Sequence, residues 1–232
     1  MVKLKPNHGK REIIEVDGVL YRRLPIKTHV ITDQDDIIEV AEQYAKEFME
    51  KGDVLFISEK CVACTQKRAI PMKEIDPSPL ARFLCRFVYK SPYGIGLSIP
   101  ETMEMALQEC GTAKIIWAAF WSAIGKLFGK RGIFYDIAGA KARSIDGPCD
   151  CTLPPYNHYV VLGPEEPDEV AKEIKKRLGF EVCIVDVNDL DGEVLGASDS
   201  AMDRELFARI LIDNPLGQSG QQTPMGIIRK VK

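Results

Sequence analysis

The hydrophobic and polar positions of this chain follow two periods, which predict strands and helices in mixed order. Short, mostly apolar runs such as Val54–Ser58 and Glu181–Val185 are typical of buried strands. Apolar residues spaced three or four apart after Asp36 and over Pro167–Leu178 predict amphipathic helices. No regular strand–helix–strand rhythm is visible. The pattern therefore favours a mixed α/β (α+β) fold over a doubly wound parallel sheet.

Local signals define further predicted elements. Glu12–Tyr21 is typical of a hairpin around Asp17 and Gly18, a favoured turn pair. Asp33 or Asp35 is expected to cap the first helix. The remaining predicted helices are Leu80–Val88, Glu101–Glu109, Ala113–Phe128 and Asp203–Ile212, and the remaining predicted strands are Gly132–Ile137, Tyr159–Leu162, Glu193–Leu195 and Met225–Ile228.

The predicted helix Ala113–Phe128 contains the longest apolar stretch, Ile115–Ile124. Its large aromatic residues recur at helical spacing, so we interpret it as a core or dimer-interface helix rather than a membrane-surface helix. The stretch is much shorter than the roughly 20 residues that a membrane span needs. The N-terminus also lacks the pattern of a signal peptide. We therefore expect a cytoplasmic protein with no membrane partner.

Net charge and cysteine content bear on whether the protein binds nucleic acid or zinc. A net charge of -3 gives no general basic field, so nucleic acid is not expected as a partner. Seven cysteines without a signal peptide indicate reduced thiols. Cys61 with Cys64, and Cys149 with Cys151, offer thiolates for a zinc site near His158, but the spacing of a closed site is incomplete. Small, partly buried thiols are the alternative.

Four polar clusters carry the candidate chemistry. A lysine follows a predicted strand in Leu24–Lys27, and Ser58-Glu59-Lys60 follows the strand Val54–Ser58. Acids follow the strand Glu181–Val185 and begin the last helix. Each cluster alone is ordinary for a turn or a solvated surface. Together they supply lysines for phosphates and carboxylates for a divalent cation, which favours nucleotide-dependent group transfer without a Walker loop. The acids and amides concerned are Asp186, Asn188, Asp189, Asp191, Asp203 and Glu205.

The order of three segments resembles the coenzyme F420-0:gamma-glutamyl ligase family. They are GDVLFISEK, then YVVLGPEEPDEVAKEIKKRLGFEVCIVD, then the closing GIIRK, and the resemblance runs from about Leu24 to Arg229. It implies a gamma-glutamyl-ligase-like fold and an intertwined homodimer. It also implies transfer of L-glutamate, through its amine, to a carboxylate acceptor, which in the family is a deazaflavin precursor. GTP and a divalent metal (Mg²⁺ or Mn²⁺) are the implied cofactors, with ATP as the alternative nucleotide.

The resemblance also implies site residues and one domain. The domain spans residues 1–232, with a helical insertion at about 77–130. The implied nucleotide-contacting positions are Leu24, Pro25, Ile26, Lys27, Glu59, Cys64, Asp203 and Arg204, of which Leu24–Lys27 match a loop. The implied metal ligands are Asp186 and Glu205, with Asp136 or Asp146 as the third, and the cations assigned to the reaction are Lys60 and Lys141.

Two departures from the family pattern keep other functions open. Cys64 stands where the family has a second lysine, and Lys141 stands where it has a metal-binding aspartate. Asp189 and Asp191 also lie where relatives carry a different motif. One alternative is a gamma-glutamyl ligase with another acceptor, such as a folate. The other is a non-catalytic paralogue that binds a nucleotide or another anion.

Overall fold

The computed structural model describes residues 4–88, 95–130, 132–150, 152–188, 192–217 and 220–231. Within these ranges the chain forms two compact units, the first made of Met1–Lys67 with Pro164–Lys232 and the second of Arg68–Gly163. The predicted mixed α/β class is confirmed. The expected single domain with an insertion stays a prediction, because compactness alone does not establish how a chain folds.

The strands of the described residues are β1 (Ile13–Val16), β2 (Val19–Ile26), β3 (Val54–Ser58), β4 (Ala69–Pro71), β5 (Tyr159–Val161), β6 (Glu181–Val187), β7 (Gly192–Ala197) and β8 (Met225–Lys230). The α-helices are α1 (Ile37–Ala45), α2 (Glu59–Thr65), α3 (Pro79–Leu84), α4 (Pro100–Cys110), α5 (Thr112–Leu127), α6 (Ile133–Ala138), α7 (Ala140–Arg143), α8 (Pro167–Leu178) and α9 (Arg204–Ile210). Among the described residues, no helix is long and apolar enough to cross a membrane.

The first unit is a six-stranded mixed sheet in the order β1-β2-β8-β3-β6-β7. Strands β3 and β6 are parallel, and the other neighbouring pairs are antiparallel. Alternate residues of β3 belong to different cores: Leu55 and Ile57 pack with α1 and α8, whereas Phe56 packs with α9. Since side chains of a strand alternate between its faces, the sheet is covered on both faces.

The second unit combines the short antiparallel pair β4–β5 with the helices α3 to α7. Its core includes Leu97, Met103, Ile115 and Phe134. The predicted strand Gly132–Ile137 is wrong, because these residues form α6. Gly132 enters this helix with a left-handed φ of 89°, and Phe134 and Ala138, four residues apart, are buried on one helical face.

The capping prediction for the first helix was wrong by one position. Asp36 caps α1, since its side chain accepts hydrogen bonds from the backbone N–H groups of Ile38 and Glu39. Asp35 instead binds Thr32 and His29. The hairpin prediction is confirmed, because Asp17 and Gly18 both have positive φ between β1 and β2.

Candidate functional site

The parallel strands β3 and β6 deliver two carboxylates to the same end of the sheet. Ser58, the last residue of β3, is level with Val185 of β6. The next residues along the chain are Glu59 and Asp186. Because parallel strands run in one direction, their carboxyl ends meet on one side of a sheet, where open α/β sheets usually bind ligands.

Strand β8 connects this end of the sheet to β2. Met225, its first residue, pairs with Ile57 on one side and with Ile26 on the other. Lys27, directly after β2, therefore reaches the same end. We call Lys27, Glu59, Lys60 and Asp186 the carboxyl end of the sheet. Three strand spacings separate β2 from β6, roughly 14 Å, so a ligand that contacts both Lys27 and Asp186 must extend across the strand ends.

The segment before β8 crosses the carboxyl end, which the sequence reasoning did not anticipate. Pro224 accepts a hydrogen bond from the Ser58 N–H at 2.8 Å, and Gln222 accepts one from the Thr28 N–H at 3.1 Å. Thr28 is buried. The polar tail around Gln221 and Gln222, placed just before the closing strand, was the available signal. Its backbone carbonyls bind Thr28 and Ser58, the residues next to Lys27 and Glu59 in the chain.

Three residues of the predicted loop Leu24–Lys27 lie in strand β2, which corrects the loop conformation, while their nucleotide contact stays a prediction. Leu24, Pro25 and Ile26 are strand residues paired with β8, and all three are buried. The side chains of Leu24 and Ile26 belong to the core that α1 and α8 cover. Lys27 is exposed. Of the residues Leu24–Lys27, Lys27 is the one whose side chain, an ammonium group, is suited to bind a phosphate.

Helix α2 begins at the carboxyl end of the sheet. The three predicted site residues that it contains differ in how far they are exposed. Glu59 occupies the first helical position and is only 4% exposed. Lys60 is exposed on the next position. A helix N-terminus favours a carboxylate, so the location of Glu59 is electrostatically favourable. Cys64 is buried one turn later, with its thiol among core residues instead of at the surface.

Two thiols of the first unit, those of Cys61 and Cys183, have raised pKa values and are protonated at neutral pH. Burial, together with the neighbouring Cys64, raises the pKa of Cys61 far above its ordinary value. Burial also raises the pKa of Cys183 to about 12. Cys61, Cys64, Cys85, Cys110 and Cys183 are free. Cys149 is disulfide-bonded, which corrects the expectation that all thiols are reduced, and Cys151 lies outside the described residues.

Asp186 lies near the end of β6, opposite Glu193 of β7. It is partly buried, whereas Glu193 is exposed. The position at a strand end agrees with the sequence-based prediction for Asp186. Asp189 and Asp191 lie outside the described residues.

Helix α9 uses two of its predicted site residues to fix its own start. Asp203 caps the helix by accepting a hydrogen bond from the Leu206 N–H at 3.0 Å. Arg204 donates to the Leu195 carbonyl at 3.1 Å and to the Asp168 carboxylate at 2.5 Å. Glu205 is exposed in the first turn. The nucleotide- and metal-binding roles of these residues stay predictions.

The remaining predicted site residues belong to the second unit. Asp136 of α6 forms an ion pair with Arg143 at 2.7 Å, and both side chains are exposed. Lys141 of α7 is exposed. The Asp146 backbone pairs with Val161 in both directions. Asp186 and Glu205 belong to the first unit, so the predicted meeting of these carboxylates stays a prediction.

The carboxylate oxygens at the carboxyl end of the sheet suit a magnesium site better than a closed zinc site. No group of three or more His, Cys, Asp or Glu side chains within the described ranges is arranged to hold a metal ion. The described cysteines thus give no support to a closed zinc site, which needs four protein ligands. Mg²⁺ is commonly bound by only one or two carboxylates together with nucleotide phosphates. Asp186 and Glu59 fit that requirement.

Comparison with known proteins finds a matching family model and a curated relative of this chain. Residues 25–202 match the family model described as F420-0:Gamma-glutamyl ligase. The chain is also 26% identical, over 231 residues, to the coenzyme F420:L-glutamate ligase of Methanopyrus kandleri, with 85% of this chain and 82% of the relative covered. The matched range contains all four residues of the carboxyl end and stops before α9.

Proposed function

This chain belongs to the F420-0:gamma-glutamyl ligase family, and we propose that it joins L-glutamate to a carboxylate acceptor in a nucleotide-dependent, amide-forming reaction. The observation that carries the proposal is the carboxyl end of the sheet, where Lys27, Glu59, Lys60 and Asp186 lie at the ends of three strands. Cations and carboxylates in one place are what phosphoryl transfer from a nucleotide requires.

The proposed reaction has two steps. First, an acceptor carboxylate oxygen attacks the terminal phosphorus of the nucleotide, and the nucleoside diphosphate leaves. The glutamate amine then attacks the carbonyl carbon of this acyl phosphate. A carbon–nitrogen bond forms, the carbon–oxygen bond to phosphate breaks, and the amine loses a proton. Lys27 and Lys60 are exposed cations suited to the phosphates, since an ammonium group neutralises phosphate charge as a point charge.

A divalent cation, Mg²⁺ or Mn²⁺, belongs to the proposal. When bound, such an ion neutralises negative charge on the transferring phosphoryl group. Asp186 and Glu59 are the residues that would hold it, with Glu205 as the sequence-based third ligand. GTP is the nucleotide that the family resemblance favours over ATP. A homodimer, also implied by the resemblance, completes the proposal.

An assay with purified protein tests the chemistry. The reaction contains GTP or ATP, Mn²⁺, L-glutamate and either a deazaflavin carboxylate or a folate. We expect nucleoside diphosphate release that requires both glutamate and one acceptor, together with an amide product identified by mass spectrometry. Turnover with the folate alone would change the acceptor and leave the ligase reaction in place. Absence of product with every combination would contradict the proposal.

A nucleotide-binding protein without turnover is the second candidate function. The observation that favours it is the burial of Cys64, since a core thiol cannot supply the positive charge that a lysine supplies at this position in the family. Calorimetric titration with GTP and Mn²⁺ separates the two candidates. Binding with no amide product favours the second candidate, and any glutamate-dependent turnover excludes it.

A further inference from the structure

Helix α5 presents large apolar side chains to solvent instead of burying them. The exposed fractions are 56% for Trp117, 54% for Phe120, 39% for Trp121, 84% for Leu127 and 77% for Phe128. Ile116 on the same helix is also exposed. We call these six residues the aromatic face. Of the predicted core or dimer-interface helix, the core placement is therefore wrong for this side of α5, and the dimer-interface placement stays a prediction.

The opposite side of α5 fixes the orientation of the aromatic face. Ile115, Ala118 and Gly125 are buried against the rest of the second unit. A Cβ atom at Gly125 would lie 2.1 Å from Cδ1 of Ile133 on α6, so the two helices are in close contact there and the Ile133 side chain would have to move to admit one. Rotation of α5 to bury its aromatic residues would break this packing. The exposure is consequently built into the fold of the unit.

The rings of Trp117, Phe120 and Trp121 pack against each other at the centre of this face. The rings of Trp117 and Trp121 lie 5.6 Å apart, as do those of Phe120 and Trp121. Phe83 and Phe87 form a second exposed pair with ring centroids 5.0 Å apart. Phe87 is joined to the end of α5, because its carbonyl accepts a hydrogen bond from Lys126 at 2.6 Å.

The area of this surface exceeds what an isolated soluble chain normally exposes. Since a Phe or Trp side chain carries about 150–250 Å², the aromatic face with Phe83 and Phe87 exposes on the order of 700–900 Å² of apolar surface. The largest apolar patch of a typical monomer measures roughly 300–600 Å² and often has a function. A binding partner is therefore expected to cover it.

The two chain segments that supply the aromatic face with Phe83 and Phe87 carry charges of one sign. The sequence contains no Asp or Glu over residues 77–100 or 110–135, which together supply every residue of the surface. Exposed cations accompany it, namely Arg86, Lys114, Lys126 and Lys130. Exposed Trp and Phe beside Lys and Arg, without acids, are the combination that binds at the interface of an anionic lipid bilayer.

We propose that the aromatic face is a docking surface for an anionic lipid bilayer, on which α5 lies in the plane of the headgroups. A 16-residue helix is about 24 Å long, and no described helix is suited to span a bilayer, so the contact is peripheral. The proposal departs from the expectation of no membrane partner and goes beyond the ligase reaction, on which it does not depend.

A second copy of the chain complements the aromatic face less well than anionic lipid. A two-fold symmetric contact brings the same patch of each subunit together, and thus sets cations near cations. Charge complementarity instead favours a negative surface, which attracts each nearby Lys or Arg. The homodimer of the proposed function would then form through another surface.

Tryptophan fluorescence tests the proposal directly, because the two tryptophans of the chain both lie on the aromatic face. The full-length protein is mixed with vesicles of phosphatidylglycerol and phosphatidylcholine, or of phosphatidylcholine alone. We expect a blue shift of the emission and co-sedimentation with the anionic vesicles. Both effects should weaken with added salt, and the phosphatidylcholine vesicles should bind less.

Variants separate the apolar and the charged contributions. Phe120→Gln with Phe128→Gln keeps both tryptophans and should reduce vesicle partitioning at least tenfold. Lys114→Gln with Lys130→Gln should reduce it about 25-fold, from about fivefold for each lost cation. Leu20→Gln and Lys51→Gln are matched controls, since both residues are exposed in the first unit, and they should leave partitioning unchanged.

Two results would overturn the proposal. The first is no shift and no co-sedimentation with anionic vesicles. The second is a blue shift that rises with protein concentration in the absence of lipid, with a dimer in sedimentation velocity that Phe120→Gln and Phe128→Gln dissociate. That outcome would assign the aromatic face to a second copy.

Discussion

The two units differ in how far they bury charged and apolar side chains. The first unit buries charged side chains within or beside its sheet: Arg23 is completely buried, and Asp53 and Glu59 nearly so. The second unit keeps the predicted site residues Asp136 and Lys141 exposed. It also exposes the aromatic face. A buried charge must be held by specific partners, whereas an exposed one is screened by water. We infer that the first unit positions charge for chemistry and that the second presents a surface.

The largest expected effect concerns the buried ion pair of the first unit. Asp213 accepts hydrogen bonds from both terminal nitrogens of Arg23, whose side chain is fully buried. Asp213→Asn leaves that guanidinium without its counter-charge, which should cost about 3–5 kcal/mol. Urea unfolding monitored by circular dichroism measures the loss. A change below about 1 kcal/mol, the range of surface pairs, would contradict the contrast between the units.

Substitution at the carboxyl end should cost activity and leave stability nearly intact. Asp186→Asn removes a carboxylate proposed to hold the cation, and we expect a loss of at least about hundredfold in kcat/KM, since metal stabilisation is worth several kcal/mol. Asp199→Asn, an exposed acid of the same unit, is the control. The same assay on Asp136→Asn sharpens the comparison. An equal loss of kcat/KM in Asp136→Asn would show that a residue of the second unit takes part in the reaction.

Acid should weaken the first unit through the same ion pair. Burial alone would raise the pKa of Asp213, but the hydrogen bonds and charge of Arg23 outweigh it and hold this pKa below its ordinary value. A carboxyl with a lowered folded-state pKa stabilises the fold above its unfolded pKa of about 3.9. This contribution disappears as the pH falls through the folded-state pKa. Unfolding free energies from about pH 7 to about pH 3 should show this decline in the parent protein and a smaller one in Asp213→Asn.

The smallest effect is expected at the exposed pair of the second unit. Asp136 and Arg143 are each more than half exposed, at 67% and 58%. Exposed pairs contribute roughly 0–1 kcal/mol, so Asp136→Asn should barely change the unfolding midpoint. High salt should remove whatever difference remains. A loss comparable with that of Asp213→Asn would show that this pair is part of a larger network.

The regular elements of the first unit were predictable from the sequence because strong local signals agree there. The helix Pro167–Leu178 and the strand Val54–Ser58 have the predicted bounds. The Gly132–Ile137 segment misled the prediction, since its apolar run fits either period and tertiary packing decides between them. Burial of Cys64 was one of two alternatives that the sequence left open, whereas exposure of Trp117 was hidden. Periodicity identifies an apolar side of a helix and does not say whether the chain itself covers that side.

The site was predictable only in part for a related reason. The strand ends that carry Lys27, Glu59 and Asp186 are visible in the sequence, but their meeting depends on β8 pairing with β2 and β3 and on β3 pairing with β6. These pairings join segments far apart in the chain, and no local pattern encodes them. Asp203 and Arg204 show why residue types alone do not identify a site, because the helix cap and the ion pair that these residues form use the same residue types as a binding site, and their predicted nucleotide contacts stay predictions.

An anomalous difference map from crystals grown with GTP and Mn²⁺ tests the central claim most directly. We predict a Mn²⁺ peak at the carboxyl end, with an Asp186 carboxylate oxygen within about 2.0–2.6 Å and the phosphates near Lys27 or Lys60. A peak bound only by residues of the second unit, or bound nucleotide and metal away from Asp186, would contradict the account.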